Sequence, residues 1–199
     1  PDVRPTTDAN LDRNLALRLE YASLDVVMTD RVCIMFGLHE MPWLRFEESL
    51  NRYRVLGPLF AERLGLIPGA TDLGASIKAT GERTEFHVGV YNGEGFTRAD
   101  PNDQKAIEIR GTIRPFPSAN LPRGLRVTLF YNGDHTVEDA ERRRVVGLVT
   151  FEHRFLNMAA SYLEAHDRAT PAAPRVPARG VSIWATPRVP LGPPPVAPP

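Results

Sequence analysis

The residues of this chain whose type and spacing could do covalent chemistry are few, and none completes a set. His39-Glu40 opens like the helical zinc motif HExxH, but Trp43 stands where the second histidine belongs. Asn92-Gly93-Glu94-Gly95 lacks the Lys-Ser/Thr that turns a Gly-rich stretch into a phosphate loop, and it reads as a turn. No serine sits in a nucleophile elbow. The five histidines form no ligand set by spacing, and the single Cys33 permits neither an internal disulfide nor a multi-cysteine metal site. The expectation is therefore no catalytic residue, no metal and no cofactor.

Charged residues at alternating positions offer a different chemistry. Lys78, Glu85, His87, Glu108, Arg110, Arg114 and Arg126 fall on the polar register of alternating segments. Side chains arranged in this way can line a water-filled passage and act on solutes through a field focused by low-dielectric walls. A second group, Glu47, Glu48, Arg52 and Arg54, lies in a stretch without alternation.

The elements that must position these residues are strands. In Asp72–Gly95, Leu73, Ala75, Ile77 and Ala79 alternate with Gly74, Ser76, Lys78 and Thr80. After a break at Thr80–Arg83, Phe86, Val88 and Val90 alternate with Glu85, His87 and Tyr91. Period two on both sides of a short break predicts an antiparallel hairpin with one apolar and one polar face. Lys105–Pro115 repeats the pattern, with Ile107, Ile109 and Ile113 opposite Glu108, Arg110 and Arg114. Further strands are predicted at about Leu15–Val27, Val32–Leu38, Leu125–Asn132, Arg143–Glu152 and Leu156–Glu164, with a possible ninth near 181–186.

The alternation stops between Met41 and Thr71, where Pro58 and Gly65 bracket a predicted helical turn or two over LFAERL. The connections between strands read short, long, short, long, medium, long, short, long, with Gly133–Glu141 taken as the sixth and a long polar loop. All the long ones would then share one side of the sheet, an asymmetry of outer-membrane barrels.

Composition is consistent with this. Lys plus Arg and Asp plus Glu are 24 each, a formal net charge of 0, which argues against a nucleic-acid partner. Many of the 19 prolines follow Thr170, so the end of the chain is expected to be an extended, weakly ordered tail. The fifth strand orients the sheet, because turning Arg110 and Arg114 to a bilayer would cost roughly 2 to 4 kcal/mol each near the midplane. Ile107, Ile109 and Ile113 are then expected to face lipid. Tyr91, Trp43, Phe116, Tyr131 and Phe151 are candidates for interfacial aromatic girdles.

The expected fold is all-β: an antiparallel transmembrane β-barrel region over 15–166 with about eight or nine strands and one long partly helical loop. An irregular lead covers 1–14 and a Pro-rich tail 167–199.

HEMPW at His39–Trp43, the Glu47-Glu48 and Arg52-Tyr53-Arg54 cluster, DLG at Asp72–Gly74 and YNGEGF at Tyr91–Phe96 resemble the central part of bacterial outer-membrane porins of the phosphate-selective porin O/P type. The resemblance runs over about Leu15–Glu164. It implies a trimeric barrel of about sixteen strands in the outer membrane, passing small hydrophilic solutes or anions down their gradient. This chain departs from that pattern: it offers eight or nine strands, part of the larger barrel the resemblance implies, its polar faces carry both charge signs rather than a lysine ladder, and it ends in prolines rather than in an aromatic-ended final strand.

On this reading Lys78, Glu85, His87, Glu108, Arg110, Arg114 and Arg126 line the pore. Glu47, Glu48, Arg52 and Arg54 form the constriction if their loop folds into the lumen; otherwise it is an external loop capping the barrel. The alternative is a soluble lipocalin-like or sandwich protein whose apolar face turns inward around a core or a small hydrophobic ligand.

Overall fold

A computed structural model describes residues 2–5, 15–51, 57–67, 69–93, 95–96, 102–117 and 124–188. A two-stranded sheet comes first, β1 (Asp2–Pro5) pairing with β2 (Leu15–Arg18). The remaining strands form one nine-stranded, wholly antiparallel sheet in sequence order. They are β3 (Ala22–Thr29), β4 (Val32–Glu40), β5 (Thr71–Thr80), β6 (Thr84–Tyr91), β7 (Ala106–Ile113), β8 (Leu125–Val137), β9 (Ala140–His153), β10 (Leu156–Asp167) and β11 (Val176–Pro187). Two short helices, α1 (Leu44–Leu50) and α2 (Phe60–Arg63), lie in the connection between β4 and β5.

The sheet is not closed into the expected barrel: β3 and β11 are its two edges. The all-β class, the hairpin of β5 and β6 and the strand β7 follow the sequence reading. The predicted first strand is two elements, β2 in the small sheet and β3 in the large one. The predicted loop Gly133–Glu141 is instead the tip of a hairpin. Asp134 pairs with Arg142, and only Glu138 and Asp139 turn, Asp139 at φ 58°. One rim therefore carries the described parts of the β4–β5 and β6–β7 connections together with this hairpin, which runs past the β7 partner of β8. The other rim carries turns at 30–31, 81–83 and 154–155, and the described ends of the β7–β8 connection, 114–117 and 124.

Alternation sorts the side chains into two faces. Along β7, Ile107, Ile109 and Ile113 are exposed while Glu108, Arg110 and Thr112 are buried. Leu24, Phe36, Leu73, Ile77, Phe86, Val90, Val127, Leu129, Val149, Val181 and Ile183 continue the exposed face across the strands. The covered face is divided. From β4 to β7 it is mainly polar, with Met35, Tyr91 and Ala106 among it; from β8 to β10 it carries Phe130, Val146, Leu148, Ala159, Leu163 and Ala165.

Onto that second part folds the β4–β5 connection, bringing Trp43, Leu44, Leu50, Leu59, Ala61 and Ile67 into one cluster. Trp43 stacks on Phe130 with ring centroids 4.9 Å apart. Each large apolar side chain buried here contributes about 1.5–3 kcal/mol, which outweighs the weak intrinsic stability of such short helices. Two wall side chains satisfy carbonyls of the segment: Asn157 Nδ2 donates to Leu50 O at 2.9 Å and Arg144 Nε to Leu66 O at 2.8 Å. α2 starts with Leu59 N–H donating to Glu62 Oε2 at 3.2 Å, and it ends at Gly65, whose φ of +65° suits a glycine.

Two girdle candidates point elsewhere. Trp43 and Tyr91 are buried on the covered side, because Trp43 belongs to the core and Tyr91 lies in the inward register of β6. Phe116 is exposed, and Tyr131 and Phe151 are half-buried in the outward register.

Candidate functional site

The covered face of β5–β8, with α1 laid across it, frames a half-open cavity of about 310 Å³. The wall contributes Lys78, Glu85, His87, Arg110, Arg114 and Arg126; the β4 end and α1 contribute Glu40, Met41, Pro42, Arg45, Phe46 and Ser49. Six of the seven pore-lining candidates thus meet in one cavity. They do so because β5, β6, β7 and β8 are neighbours in register, His87 opposite both Lys78 and Arg110, and Glu85 opposite Thr112.

The seventh, Glu108, sits on the same face nearer the opposite rim, where it is wholly buried. Its Oε1 accepts from Asn132 Nδ2 at 3.1 Å, and its Oε2 has no hydrogen-bond partner among the described residues.

Arg110 is the fixed centre of the cavity. It donates to Glu85 Oε1 at 2.5 Å and to Thr112 Oγ1 at 3.2 Å, and its guanidinium lies 3.9 Å from the centroid of the Phe46 ring. Arg114, half-exposed, is 4.0 Å from Glu85 Oε2. Lys78 pairs with Glu40 at 2.8 Å and Arg126 with Glu152 at 3.1 Å. Five basic side chains (Arg45, Lys78, Arg110, Arg114, Arg126) and two acidic ones (Glu40, Glu85) therefore line the space, with Glu152 reached by Arg126.

Behind Lys78 runs a short polar chain. His39 Nδ1 is 2.8 Å from the Gly37 carbonyl, which can only accept, so that nitrogen carries the proton. In neutral His39, Nε2 then accepts from Ser76 Oγ at 2.8 Å, and Ser76 in turn accepts from His87 Nε2 at 3.2 Å. The chain fixes both rings against the wall.

Of the constriction candidates, Glu47 is buried and accepts from Trp43 Nε1 at 2.8 Å, so it braces α1 rather than facing open space. Glu48 lies 3.4 Å from Arg45, which also reaches Tyr21 Oη at 2.6 Å and Glu20 at 3.8 Å. Burial raises the Tyr21 phenol above its ordinary value, against the pull of Arg45, so it is neutral at pH 7. Burial also works against the Arg45 charge, but Tyr21, Glu48 and Glu20 more than offset it, and its guanidinium lies above its ordinary value. Arg52 and Arg54 lie outside the described residues.

Glu40, Arg45, Phe46 and Ser49 had not been expected at the site. Their signal was faint: Arg45, Phe46 and Ser49 share one side of a helix only seven residues long. Among the described residues no group of three or more His, Cys, Asp and Glu side chains stands in metal-binding geometry, and no helix is long and apolar enough to cross a membrane, which says nothing of strands.

Comparison with known proteins finds no matching family model, no matching curated protein and no matching solved structure.

Proposed function

We propose that this chain forms part of the wall of a β-barrel pore in a bacterial outer membrane, through which small hydrophilic solutes diffuse passively, anions in preference. The observation that carries the reading is the inversion of the sheet. Ile107, Ile113 and Leu129 are 47%, 52% and 62% exposed, while Glu108 and Arg110 on the covered face are 0% and 1% exposed. In water, leaving such apolar side chains uncovered forfeits about 1.5–3 kcal/mol each; against lipid tails they lose nothing. The soluble alternative asks for Ile107, Ile109 and Ile113 to face inward, and their outward orientation counts against it.

Strand lengths agree, since about 9 to 11 tilted residues span a bilayer core and the nine strands run from 8 to 14 residues. Bare edges leave backbone groups unpaired in lipid, so a working pore needs β3 and β11 paired, with each other or with the edges of further copies of this chain. The resemblance to phosphate-selective porins of the O/P type suggests a trimer. Preference for anions rests on the basic majority in the cavity, moderated by its ion pairs.

The deciding experiment compares the purified chain in buffer and in detergent micelles. Aggregation in buffer with a β-rich, monodisperse state in detergent is the expected result, followed by channel currents in planar bilayers. Cooperative folding as a soluble species in plain buffer would overturn the proposal.

A further inference from the structure

Resting on the pore reading, we propose that Phe46 sets the width of the passage and withholds Arg110 from the solute. α1 presents two sides. Leu44, Glu47 and Leu50 are buried, with Trp43 ahead of them, and Leu44, Leu50 and Trp43 belong to the cluster with Phe130, Val146, Leu148 and Leu163. Arg45, Phe46 and Ser49 line the cavity.

Phe46 alone of these three spans the gap to the opposite wall, its ring 3.9 Å from the Arg110 guanidinium carbon. A guanidinium over an aromatic face is held by the ring quadrupole, more strongly where water is excluded, and Arg110 is buried. Its two terminal nitrogens donate to Thr112 and Glu85, while Nε is buried without a hydrogen-bond partner among the described residues. The ring covers the face that a solute would otherwise meet, so Arg110 serves as a bracket between wall and helix. Arg114 and Arg126 are the more exposed cations nearby.

The helix does not depend on Phe46 to stay in place. Phe46 packs only at the margin of the core cluster, its ring 6.1 Å from that of Trp43, while the Trp43–Phe130 stack, buried Leu44 and Leu50 and the Asn157 bond to Leu50 O tie the helix to the wall. Truncating Phe46 therefore opens the aperture without releasing the segment that narrows it.

The test is single-channel recording of the chain in planar bilayers, under symmetric salt and under a potassium chloride gradient, with far-UV circular dichroism in detergent to verify folding. Phe46→Ala is expected to raise the conductance and to move the reversal potential further toward that of chloride. Phe46→Leu, which keeps most of the bulk, is expected to stay near the wild-type conductance. Adding Arg110→Gln to Phe46→Ala is expected to cancel the shift in reversal potential. If the wild type conducts and Phe46→Ala matches it in both readouts, this inference is overturned while the pore stands. If folded wild type never conducts, the pore reading fails and the inference goes with it.

Discussion

Placing a charge at Ile109 distinguishes lipid from water on the exposed face. Ile109 lies midway along β7, flanked by Val88 on β6 and Tyr131 on β8, with its side chain in the outward register. If that face meets the bilayer midplane, Ile109→Arg should cost about 2–4 kcal/mol, a drop of roughly 30- to 1,000-fold in the folding equilibrium constant. Ile113, in the same register at the rim end of the strand, should cost about 0–1 kcal/mol for the same change, because a long cation there reaches the interface. On a water-facing surface both substitutions would fall within about 0.5 kcal/mol of neutral. The assay is equilibrium urea unfolding in lipid vesicles, followed by the fluorescence of Trp43 and Trp184. Equal, small costs at both positions would refute the reasoning, since depth dependence is what a bilayer imposes and water does not.

Two further outcomes follow from the covered face. Arg114→Gln is expected to move the reversal potential toward zero while costing about 1 kcal/mol or less, because its ion pair with Glu85 is long and half-exposed; an unchanged reversal potential would place the selecting field elsewhere. Gly89→Ala is expected to destabilise by about 1–3 kcal/mol in urea unfolding. Its Cβ would lie 2.4 Å from Tyr91 Cε2, and that ring is buried against Met41 with its hydroxyl donating to Glu40 O at 3.2 Å. A change within 0.5 kcal/mol of zero would mean that Tyr91 has room to swing.

The site was half legible because strand alternation maps sequence onto faces one residue at a time. Once Ile107, Ile109 and Ile113 were set on one face, Glu108, Arg110 and Arg114 had to take the other, and Lys78, Glu85, His87 and Arg126 followed from their own strands. The missing half came from α1, whose seven residues carry too short a pattern to say which wall they cover. A clue was present in Val145–Val149, apolar on both registers apart from Gly147, which is how a strand covered on both sides reads. That run is where Trp43 and Leu44 settle.

By itself, then, the sequence determined the strand periodicity, the two-faced sheet and the absence of any complete catalytic motif, since these depend on residue order alone. Pairing decided the rest. The polar stretch after Gly133 looks like a loop until Asp134 meets Arg142 across a two-residue turn. Proline-flanked β11 looks unpromising until it proves to be an edge, where Pro177 and Pro187 are tolerated as they would not be between two neighbours. Likewise the descent of 41–51 and 57–67 onto the covered face, and Phe46 onto Arg110, depends on apolar surface assembled from β8, β9 and β10. Contacts between residues so far apart in the chain leave no local signature, because the free energy that selects them is shared among strands that meet only after folding.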